Sequence, residues 1–321
     1  MRIDIQRHTG SDIWAMHTAG LAHEQLSGSM VIVEPDGTAF LDAPDTDNML
    51  ASLPALFVSH TPCRFADVMV APTDLDALHE AFERTPLAAM TLVLLLRGGE
   101  SRTTEQGLMV ESLAYSMLQG GPEFAAWRRS HRTGNRLAEI GPAVQTEAAV
   151  DTITLTLSRP HVHNAFSRRM RDELHEALIT ALADAEARLV LLRGSGSSFC
   201  SGGDLDEFGS FASNAEAHLV RLTRSPARLM AALAGRVSVH LHGACMGAGI
   251  ELPAYAHRIV AAPDAVISLP EIGLGLVPGA GGTVSIPRRI GRQRTAWLGL
   301  TGARIDASTA LDWGLVDEVV A

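Results

Sequence analysis

The spacing of apolar and polar residues alternates between strand-like and helix-like patterns in the second half of the chain. Thr152–Leu157 (TITLTL) has a period of two, which predicts a β-strand with one buried face. A helix is expected from about Ser167 to Ala187, with the Ser167 side chain capping its first turn. The apolar run Leu189–Leu192 predicts a second, buried strand. Strands that alternate with helices in this way are typical of βαβ units and a largely parallel sheet.

The same alternation continues beyond residue 200. The further elements that we expect are a helix at about Ala215–Leu233, strands at Val237–Leu241, Ile259–Ala261 and Val266–Leu269, and a helix that opens within Gly243–Gly249. Gly273–Gly282 predicts a turn region because glycine and proline interrupt regular structure. The order of the elements indicates an α/β fold.

The chain divides into a first part up to about residue 147 and a second part from about residue 148 to the end. The region Gly134–Gln145 has turn residues and no sustained period, so we interpret it as the connector. In the first part, Leu108–Arg132 predicts two helices that Gly120 and Gly121 separate, with Pro122 at the start of the second.

Two stretches of similar sequence suggest an internal repeat. DALHEAF begins at Asp76 and DELHEAL at Asp172, and in each case an Arg that ends an apolar run follows 21 residues later, at Arg97 and Arg193. We interpret both apolar runs as strands, with a constant offset of 96 residues between the copies. The alternative is that two unrelated helix–strand units have similar sequences without duplication, because the chain is rich in Ala and Leu. The first copy lacks a counterpart of the FCSGGD segment described below, so as a duplicate it would be catalytically silent.

The charge balance excludes several classes of function. Asp and Glu number 36 against 26 basic residues, all of them Arg, and the formal net charge is −10. This balance argues against nucleic-acid binding, which depends on neutralising phosphates. The absence of lysine excludes lysine Schiff-base chemistry and a P-loop lysine.

Cysteine usage and the lack of long apolar runs bear on the location of the protein. Cys63, Cys200 and Cys245 are scattered, which is typical of buried thiols in a reducing compartment. The start of the chain lacks the apolar run of a signal peptide, and no stretch of about 18 apolar residues is present. We therefore expect a cytoplasmic protein that spans no membrane. The closely spaced histidine pairs lack an evident third ligand, so no metal site is expected.

Two glycine-rich segments are suited to exposing backbone N–H groups to a ligand. FCSGGD, Phe199–Asp204, follows a buried strand, and its adjacent glycines let a ligand approach the main chain closely. HGACMGAGIEL, from His242, leads a short strand into a helix, whose first N–H groups are unpaired. The alternative is an ordinary turn in the first segment and tight packing of small residues in the second.

Two glutamates stand in contrasting settings. Glu271 follows an apolar strand within SLPEIGLGLVPGAGGT, and burial there would raise its pKa and retain a proton near neutral pH. Glu251 is expected in the first turn of a helix, where the dipole favours the ionised carboxylate. Two glutamates of which one favours the protonated form and the other the ionised form are expected of a paired acid and base. The alternative for Glu271 is an ordinary solvated side chain.

These segments, in their order and spacing, resemble the crotonase superfamily, that is, the enoyl-CoA hydratase/isomerase family. The resemblance covers about Asp151–Ala321 and includes SRPHVHNAF at Ser158–Phe166, TGARIDASTALDWGLVDEVV at Thr301–Val320, and a 20-residue spacing of the two glutamates. It implies a crotonase-like α/β fold, a spiral of repeated ββα units. The first part of the chain lies outside the resemblance, as an N-terminal α/β extension with the possible degenerate repeat described above. It also implies an acyl-CoA thioester substrate, no cofactor besides the coenzyme A of that substrate, and a trimer or hexamer.

The resemblance implies roles for five residues. The backbone N–H groups of Gly203 and Ala248 form an oxyanion hole that polarises the thioester carbonyl. Glu251 orients and deprotonates the attacking water, and Glu271 delivers or removes the proton at Cα. The N–H of Gly279 helps to hold the water. The reaction would be syn addition of water to a trans-2-enoyl-CoA, giving a 3-hydroxyacyl-CoA.

The chain departs from the family pattern near the expected coenzyme A contacts. Positions where the family often has basic residues hold His161 and Asp206, and Ser201 stands where Ala is usual. Leu269 occupies a position that is frequently polar in hydratases. The residues that we expect near the substrate are Arg159, His161, Arg168, Ser201, Asp204 and Leu269, with Arg169 as a further candidate for holding phosphates.

Several alternatives stay open. Within the family they are a double-bond isomerase, a thioester hydrolase and a cofactor-free oxygenase; from another class, the alternative is a non-catalytic acyl-CoA-binding or assembly protein. The sequence stops at Ala321, soon after DEVV, without the C-terminal helices that normally complete the family's active site. We expect residues 108–132 to pack on the core in place of those helices. An independent appended domain is the alternative.

Overall fold

A computed structural model of the protein describes residues 4–34, 51–134 and 141–320, and these fold into layers of parallel β-sheet and helix. The strands are β1 (Ile5–Thr9), β2 (Met30–Glu34), β3 (Leu56–Ser59), β4 (Val68–Met69), β5 (Val144–Ala148), β6 (Thr152–Leu157), β7 (Leu189–Gly194), β8 (Val237–Leu241), β9 (Ala244–Met246), β10 (Arg258–Ala261), β11 (Val266–Ser268), β12 (Ile305–Asp306) and β13 (Glu318–Val319).

The helices cover these sheets. They are α1 (Gly10–Thr18), α2 (Ala22–Leu26), α3 (Leu75–Arg84), α4 (Pro86–Arg97), α5 (Thr104–Gln119), α6 (Pro122–Ser130), α7 (Arg168–Ala183), α8 (Asn214–Thr223), α9 (Pro226–Ala232), α10 (Ala248–Glu251), α11 (Gly282–Thr301) and α12 (Ala307–Trp313). Among the described residues, no helix is both long enough and apolar enough to cross a membrane.

The first part of the chain forms a parallel sheet with the order β1-β2-β3-β4. Alternate side chains of β2 point to opposite faces, as the pleat of a strand requires. Val31 packs with Ile13 of α1 in one cluster, whereas Ile32 packs with Leu92 and Leu96 of α4 in another. This unit is therefore an α/β layer with helices on both faces.

The expected strand that ends at Arg97 is wrong, because α4 runs through Pro86–Arg97. Pro86 occupies the first turn, where its missing N–H costs no hydrogen bond. The apolar run that follows is 10 residues long and rich in Ala, Met and Leu, which are strong helix formers. The matching run in the second half, which ends at Arg193, does form strand β7. DALHEAF and DELHEAL are both helical, but the apolar runs after them fold differently, which argues against the degenerate repeat.

The second part builds a six-stranded sheet with the order β13-β10-β8-β7-β6-β5, and a three-stranded sheet with the order β12-β11-β9. Consecutive strands β8 and β9 lie in different sheets, and so do β10 and β11. Both β8–β10 and β9–β11 pair in parallel, so each turn of the chain stacks on the turn before it. This arrangement is the expected spiral of ββα units.

Most expected elements of the second part are confirmed. The Ser167 hydroxyl accepts a hydrogen bond from the Met170 N–H and caps α7 as expected, although α7 ends at Ala183. The single helix expected at Ala215–Leu233 is wrong. It is two helices, α8 and α9, because Ser225 caps a new helix that begins at Pro226.

The connector falls largely outside the described residues, which omit 135–140. Its last residues already belong to β5, which pairs antiparallel with β6 in the six-stranded sheet. The C-terminal part therefore takes in sheet residues that precede residue 148.

The two helices expected within residues 108–132 are confirmed as α5 and α6, and they lie directly on the second part. Leu108 of α5 belongs to its main apolar core. Gly107 approaches α11 so closely that a Cβ there would lie 2.7 Å from Val284 Cγ2. Phe124 of α6 contacts the backbone turn at Gly275. These contacts place α5 and α6 as a wall over the ends of the parallel strands.

Candidate active site

A cavity of about 180 Å³ lies between α5, α8 and the glycine-rich loops of the second part. Five of the residues predicted to carry the chemistry line it: Gly203, Ala248, Glu251, Glu271 and Gly279. The loops that contribute them lie up to about 75 residues apart in sequence and meet because the ββα turns stack in register.

Two backbone N–H groups of this cavity are left without protein partners. Phe166 N–H donates to the Gly202 carbonyl, and Asp204 N–H donates to the Phe166 carbonyl. This pair of bonds straddles Gly203 and leaves its own N–H unbonded. Ala248 is the first residue of α10, whose initial N–H groups have no partner inside the helix. Within the described ranges, no hydrogen bond engages either N–H.

The two predicted glutamates meet across Gly247. A Cβ built on this glycine would lie 2.1 Å from Glu271 Oε1 and 3.7 Å from Glu251 Oε1. Gly247 also has φ +49°, a conformation that residues with a side chain rarely adopt. Only glycine therefore fits between the two carboxyl groups, and both of them face the same small space.

Glu251 is held firmly on one side. Its Oε2 accepts hydrogen bonds from the backbone N–H groups of Ala280 and Gly282, at 2.7 and 2.9 Å. These amides belong to the turn that starts α11, where the helix dipole favours negative charge. No described residue donates a hydrogen bond to Oε1, the oxygen nearer to Glu271.

Glu271 is held more loosely. Its Oε2 is shielded from solvent and accepts no hydrogen bond from any part of the chain that the structure describes. A buried polar atom without a partner costs free energy, so such atoms mark places where a ligand or water completes the bonding. Glu271 thus offers a free oxygen to whatever occupies the cavity.

A third buried carboxyl, Glu111 of α5, was not anticipated from the sequence. Its Oε1 accepts from the Gly281 N–H at 2.8 Å. Its Oε2 accepts from the N–H and the hydroxyl of Thr283, at 2.9 and 2.7 Å. The four successive N–H groups of residues 280–283 therefore alternate between Glu251 and Glu111.

Burial raises the pKa of all three carboxyls. For Glu111 burial outweighs three hydrogen bonds and raises the pKa to about 7. Burial raises the pKa of Glu271 to about 7, with repulsion from Glu111 adding to it. For Glu251 burial acts first and repulsion from Glu271 and Glu111 adds to it, so its pKa lies well above the usual value. Glu111 and Glu271 therefore titrate near neutral pH, and the repulsion among the three carboxyls couples their protonation.

Glu251 lies in the first turn of a helix as expected, but burial and the neighbouring carboxyls raise its pKa in spite of the dipole. The helix α10 has only four residues, and Glu251 is the last of them. A dipole of that length is too weak to offset removal from water and two neighbouring carboxyls. The donors that do favour its charge come from the start of α11 instead.

The residues expected near the substrate separate into two groups. Arg168 and Asp204 line the cavity, whereas Arg159, His161, Ser201 and Leu269 do not. The Arg159 guanidinium turns into the fold, where it donates to the Ala165 carbonyl and to Asp204 Oδ2. Leu269 is fully buried in the core, and His161 is exposed on a turn outside the cavity.

Asp206 also has a partner that its sequence position did not indicate. Its Oδ1 lies 3.0 Å from His131 Nε2, and its Oδ2 accepts from the Gly134 N–H. Both partners belong to the first part of the chain. Asp206, at a position that is often basic in the family, therefore connects the second part of the chain to the N-terminal extension.

One set of cavity residues that sequence analysis missed comes from α5. Leu108, Glu111, Ser112 and Tyr115 follow the i, i+3, i+4, i+7 spacing of one helix face, and all of them line the cavity. The sequence feature that could have revealed this cavity wall is a glutamate and a serine on an otherwise apolar helix face. Among the described residues, no group of three or more His, Cys, Asp or Glu side chains is arranged to hold a metal ion.

Comparison with known proteins agrees with this arrangement. A family model described as enoyl-CoA hydratase/isomerase matches residues 145–321. The Bacillus subtilis protein YngF, provisionally named an enoyl-CoA hydratase/isomerase, is 36% identical over 168 residues, which are 52% of this chain and 65% of that protein. The 1,2-epoxyphenylacetyl-CoA isomerase of Escherichia coli is 34% identical, over 52% of this chain and 66% of its own length. The chain thus spans just under two thirds of these relatives.

A solved structure gives the same result for the fold. The crystal structure of enoyl-CoA hydratase from Thermoplasma volcanium superposes with a TM-score of 0.51 at 34% sequence identity, covering 56% of this chain and 72% of that one. The portion that the family model matches, residues 145–321, carries the stacked ββα turns and both glutamates. The chain belongs to the enoyl-CoA hydratase/isomerase family.

Proposed function

We propose that the protein adds water across the double bond of a trans-2-enoyl-CoA thioester and forms a 3-hydroxyacyl-CoA. The observation that carries this proposal is the meeting of Glu251 and Glu271 over Gly247, in a cavity that also presents two unbonded N–H groups. Hydration needs one group that accepts a proton from water and another that supplies a proton to carbon.

The amides of Gly203 and Ala248 supply the electrostatic part of the proposed reaction. Bound between them, the thioester carbonyl is polarised, and the negative charge of the enolate that forms on its oxygen is stabilised. Fixed donors in a cavity that excludes water need no reorganisation during the reaction, and removing one donor typically costs about 2.7–4 kcal/mol.

The carboxyl pair supplies the proton transfers. As water attacks C3, its O–H bond breaks, a C–O bond forms, and Glu251 accepts the proton. Glu271 then gives a proton to Cα, and the electron pair of the enolate returns to that carbon. The N–H of Gly279, which has no partner among the described residues, is suited to holding the water. The pair of carboxyls thus ends with the same number of protons as it started with.

Double-bond isomerisation is the second candidate. It needs a proton to be removed from one carbon and returned to another, for which a single carboxyl suffices. The unpartnered Oε2 of Glu271 favours it, and relatives from Bacillus subtilis and Mycosarcoma maydis carry both hydratase and isomerase in their names. In that reaction Glu251 would be dispensable.

Replacing either glutamate tests these roles. We expect Glu251→Gln and Glu271→Gln each to lower hydration of crotonyl-CoA by roughly 100- to 10,000-fold, because a positioned acid or base contributes that factor. The loss of enoyl absorbance measures the rate. Glu186→Gln, which changes an exposed glutamate on the surface, is the matched control and should retain full activity. Wild-type rates in both active-site variants would contradict the proposed roles, and a wild-type protein that does not hydrate crotonyl-CoA but moves the double bond of a 3-enoyl-CoA, with loss in Glu271→Gln alone, would favour isomerisation.

The pH dependence of hydration follows from the shared protons. The productive form carries one proton on the pair, which titrates as a unit. Burial raises the pKa of Glu271 to about 7, and burial also raises the pKa of Glu251. We therefore expect the rate to increase as the pH rises through about 7, where the pair loses its first proton, and to fall at higher pH when it loses the second. A rate that is already maximal at about pH 5 would contradict the raised pKa values.

Glu111→Gln tests whether the extension takes part in positioning the site. An amide can replace only part of the bonding to residues 281 and 283, so we expect kcat to fall by roughly 10- to 100-fold as Glu251 loses its fixed support. The variant also removes a charge that raises the pKa of both other glutamates, so the rising limb of the pH profile should move to lower pH. Glu105→Gln, on the exposed side of the same helix, is the control. A folded Glu111→Gln protein with an unmoved pH profile would show that Glu111 is only structural.

A further inference from the structure

Arg221 of α8 is a half-buried cation on the wall of the cavity, and its hydrogen-bond partners are all neutral. Its Nε donates to Ser112 Oγ at 3.1 Å, one terminal nitrogen donates to Gln119 Oε1 at 3.4 Å, and the other contacts Ser116 Oγ. The guanidinium also lies over the Tyr115 ring, 4.7 Å from its centre. All four partners belong to α5, so the extension fixes the position of this side chain.

The charge of Arg221 lacks a counter-ion within the ranges that the structure describes. Three other arginines line the cavity, and each forms an ion pair: Arg168 with Glu207, Arg171 with Asp172, and Arg224 with Glu176. No such pair involves Arg221. Glu111 lies nearby on α5, but its oxygens are occupied by residues 281 and 283. Burial correspondingly lowers the pKa of Arg221, which marks the cost of keeping this charge away from water.

Two of the five N–H donors of the guanidinium stay available, one on each terminal nitrogen. The Tyr115 ring and three hydrogen-bond acceptors on α5 hold the guanidinium plane of Arg221 in place. A ligand that binds it therefore costs little side-chain entropy. A planar fork with paired donors matches a carboxylate better than a neutral hydroxyl or carbonyl. Arg221 therefore offers two N–H donors of a fixed guanidinium to an anionic ligand.

The position of Tyr115 indicates which end of the substrate meets Arg221. The Tyr115 ring packs against Gly279, so closely that a Cβ on Gly279 would lie 2.4 Å from the ring. Glu271 and Glu251 raise the pKa of the Tyr115 hydroxyl after burial does, which reflects how near these carboxyls are. Arg221 stacks on the same ring, which packs against Gly279 of the cavity. Arg168 and Arg224, by contrast, are largely exposed, as expected of groups near the entrance.

We propose that Arg221 binds a carboxylate carried by the acyl group, and that the substrates are thioesters of coenzyme A with short dicarboxylic acids. This inference rests on the proposed function for the identity of the thioester, but recognition of the carboxylate is a separate property. Arg221 acts in it as a specificity-determining residue, since it contacts the substrate without transferring a proton. The extension, through α5, would then select the substrate.

Equilibrium binding of saturated thioesters tests the inference without requiring turnover. Glutaryl-CoA and pentanoyl-CoA have acyl chains of equal carbon number, and only glutaryl-CoA ends in a carboxylate. We expect the wild-type protein to bind glutaryl-CoA roughly 10- to 100-fold more tightly, the usual contribution of a hydrogen-bonded ion pair. Arg221→Gln should remove this preference and leave pentanoyl-CoA binding within about threefold. Arg221→Lys, which keeps the charge but not the fork, should fall between them.

The control is Arg258→Gln, which changes an exposed arginine paired with Glu318 on strands that do not line the cavity, and it should keep the preference. Equal wild-type affinities for the two thioesters would overturn the inference. An equal loss for both thioesters in Arg221→Gln would overturn it as well, because the residue would then be structural or bind the coenzyme A portion.

A turnover measurement separates this inference from the proposed function. Glutaconyl-CoA and pent-2-enoyl-CoA are the corresponding unsaturated pair, and we expect kcat/KM for hydration to favour glutaconyl-CoA by a similar factor. Hydration of both at equal efficiency would refute the carboxylate site and leave the hydratase intact. A glutaryl-CoA binding preference without hydration of either enoyl thioester would refute the hydratase and leave the carboxylate site intact.

Discussion

The rest of the structure depends on how four consecutive backbone N–H groups at the start of α11 are shared. Residues 280 and 282 donate to Glu251, and residues 281 and 283 donate to Glu111. Because the donors alternate along one turn, neither glutamate can move without disturbing the bonds of the other. The first helix turn therefore fixes a catalytic candidate from the family core and a residue of the N-terminal extension at the same time.

The shared N–H groups help to explain how the protein folds with three carboxyl groups in one cavity. Three buried carboxyls repel one another and lose hydration, and both effects disfavour their charged forms. The positive end of α11, the Thr283 hydroxyl and the nearby Arg221 oppose these effects, and retained protons remove the remaining charge. The raised pKa values that result are the ones that proton transfer near neutral pH requires. The stability of the cavity and its proposed chemistry therefore have the same physical origin.

The sequence predicted the parts of the fold and site that local patterns determine. Period-two alternation identified β6, the Ser167 cap located the start of α7, and glycine-rich segments marked the loops with unbonded N–H groups. Prediction was wrong where a short apolar run is compatible with either helix or strand, as at Leu92–Arg97. The role of Glu111 was not predictable in this way, because its partner Gly281 lies 170 residues further along the chain. No local period reports a pairing at that distance, and the pKa of Glu251 depends on the same long-range contacts.

The central claim is that one thioester is held by two backbone amides while two carboxyl groups reach its reacting carbons. A crystal structure of the protein with a bound, unreactive acyl-CoA tests this claim most directly. The account predicts that the thioester oxygen lies within about 2.7–3.1 Å of both the Gly203 and Ala248 nitrogens. It also predicts that Cα and C3 lie between the carboxyl groups of Glu251 and Glu271. A thioester bound elsewhere, with these amides bonded to protein groups or the two carboxyls in separate chambers, would contradict it.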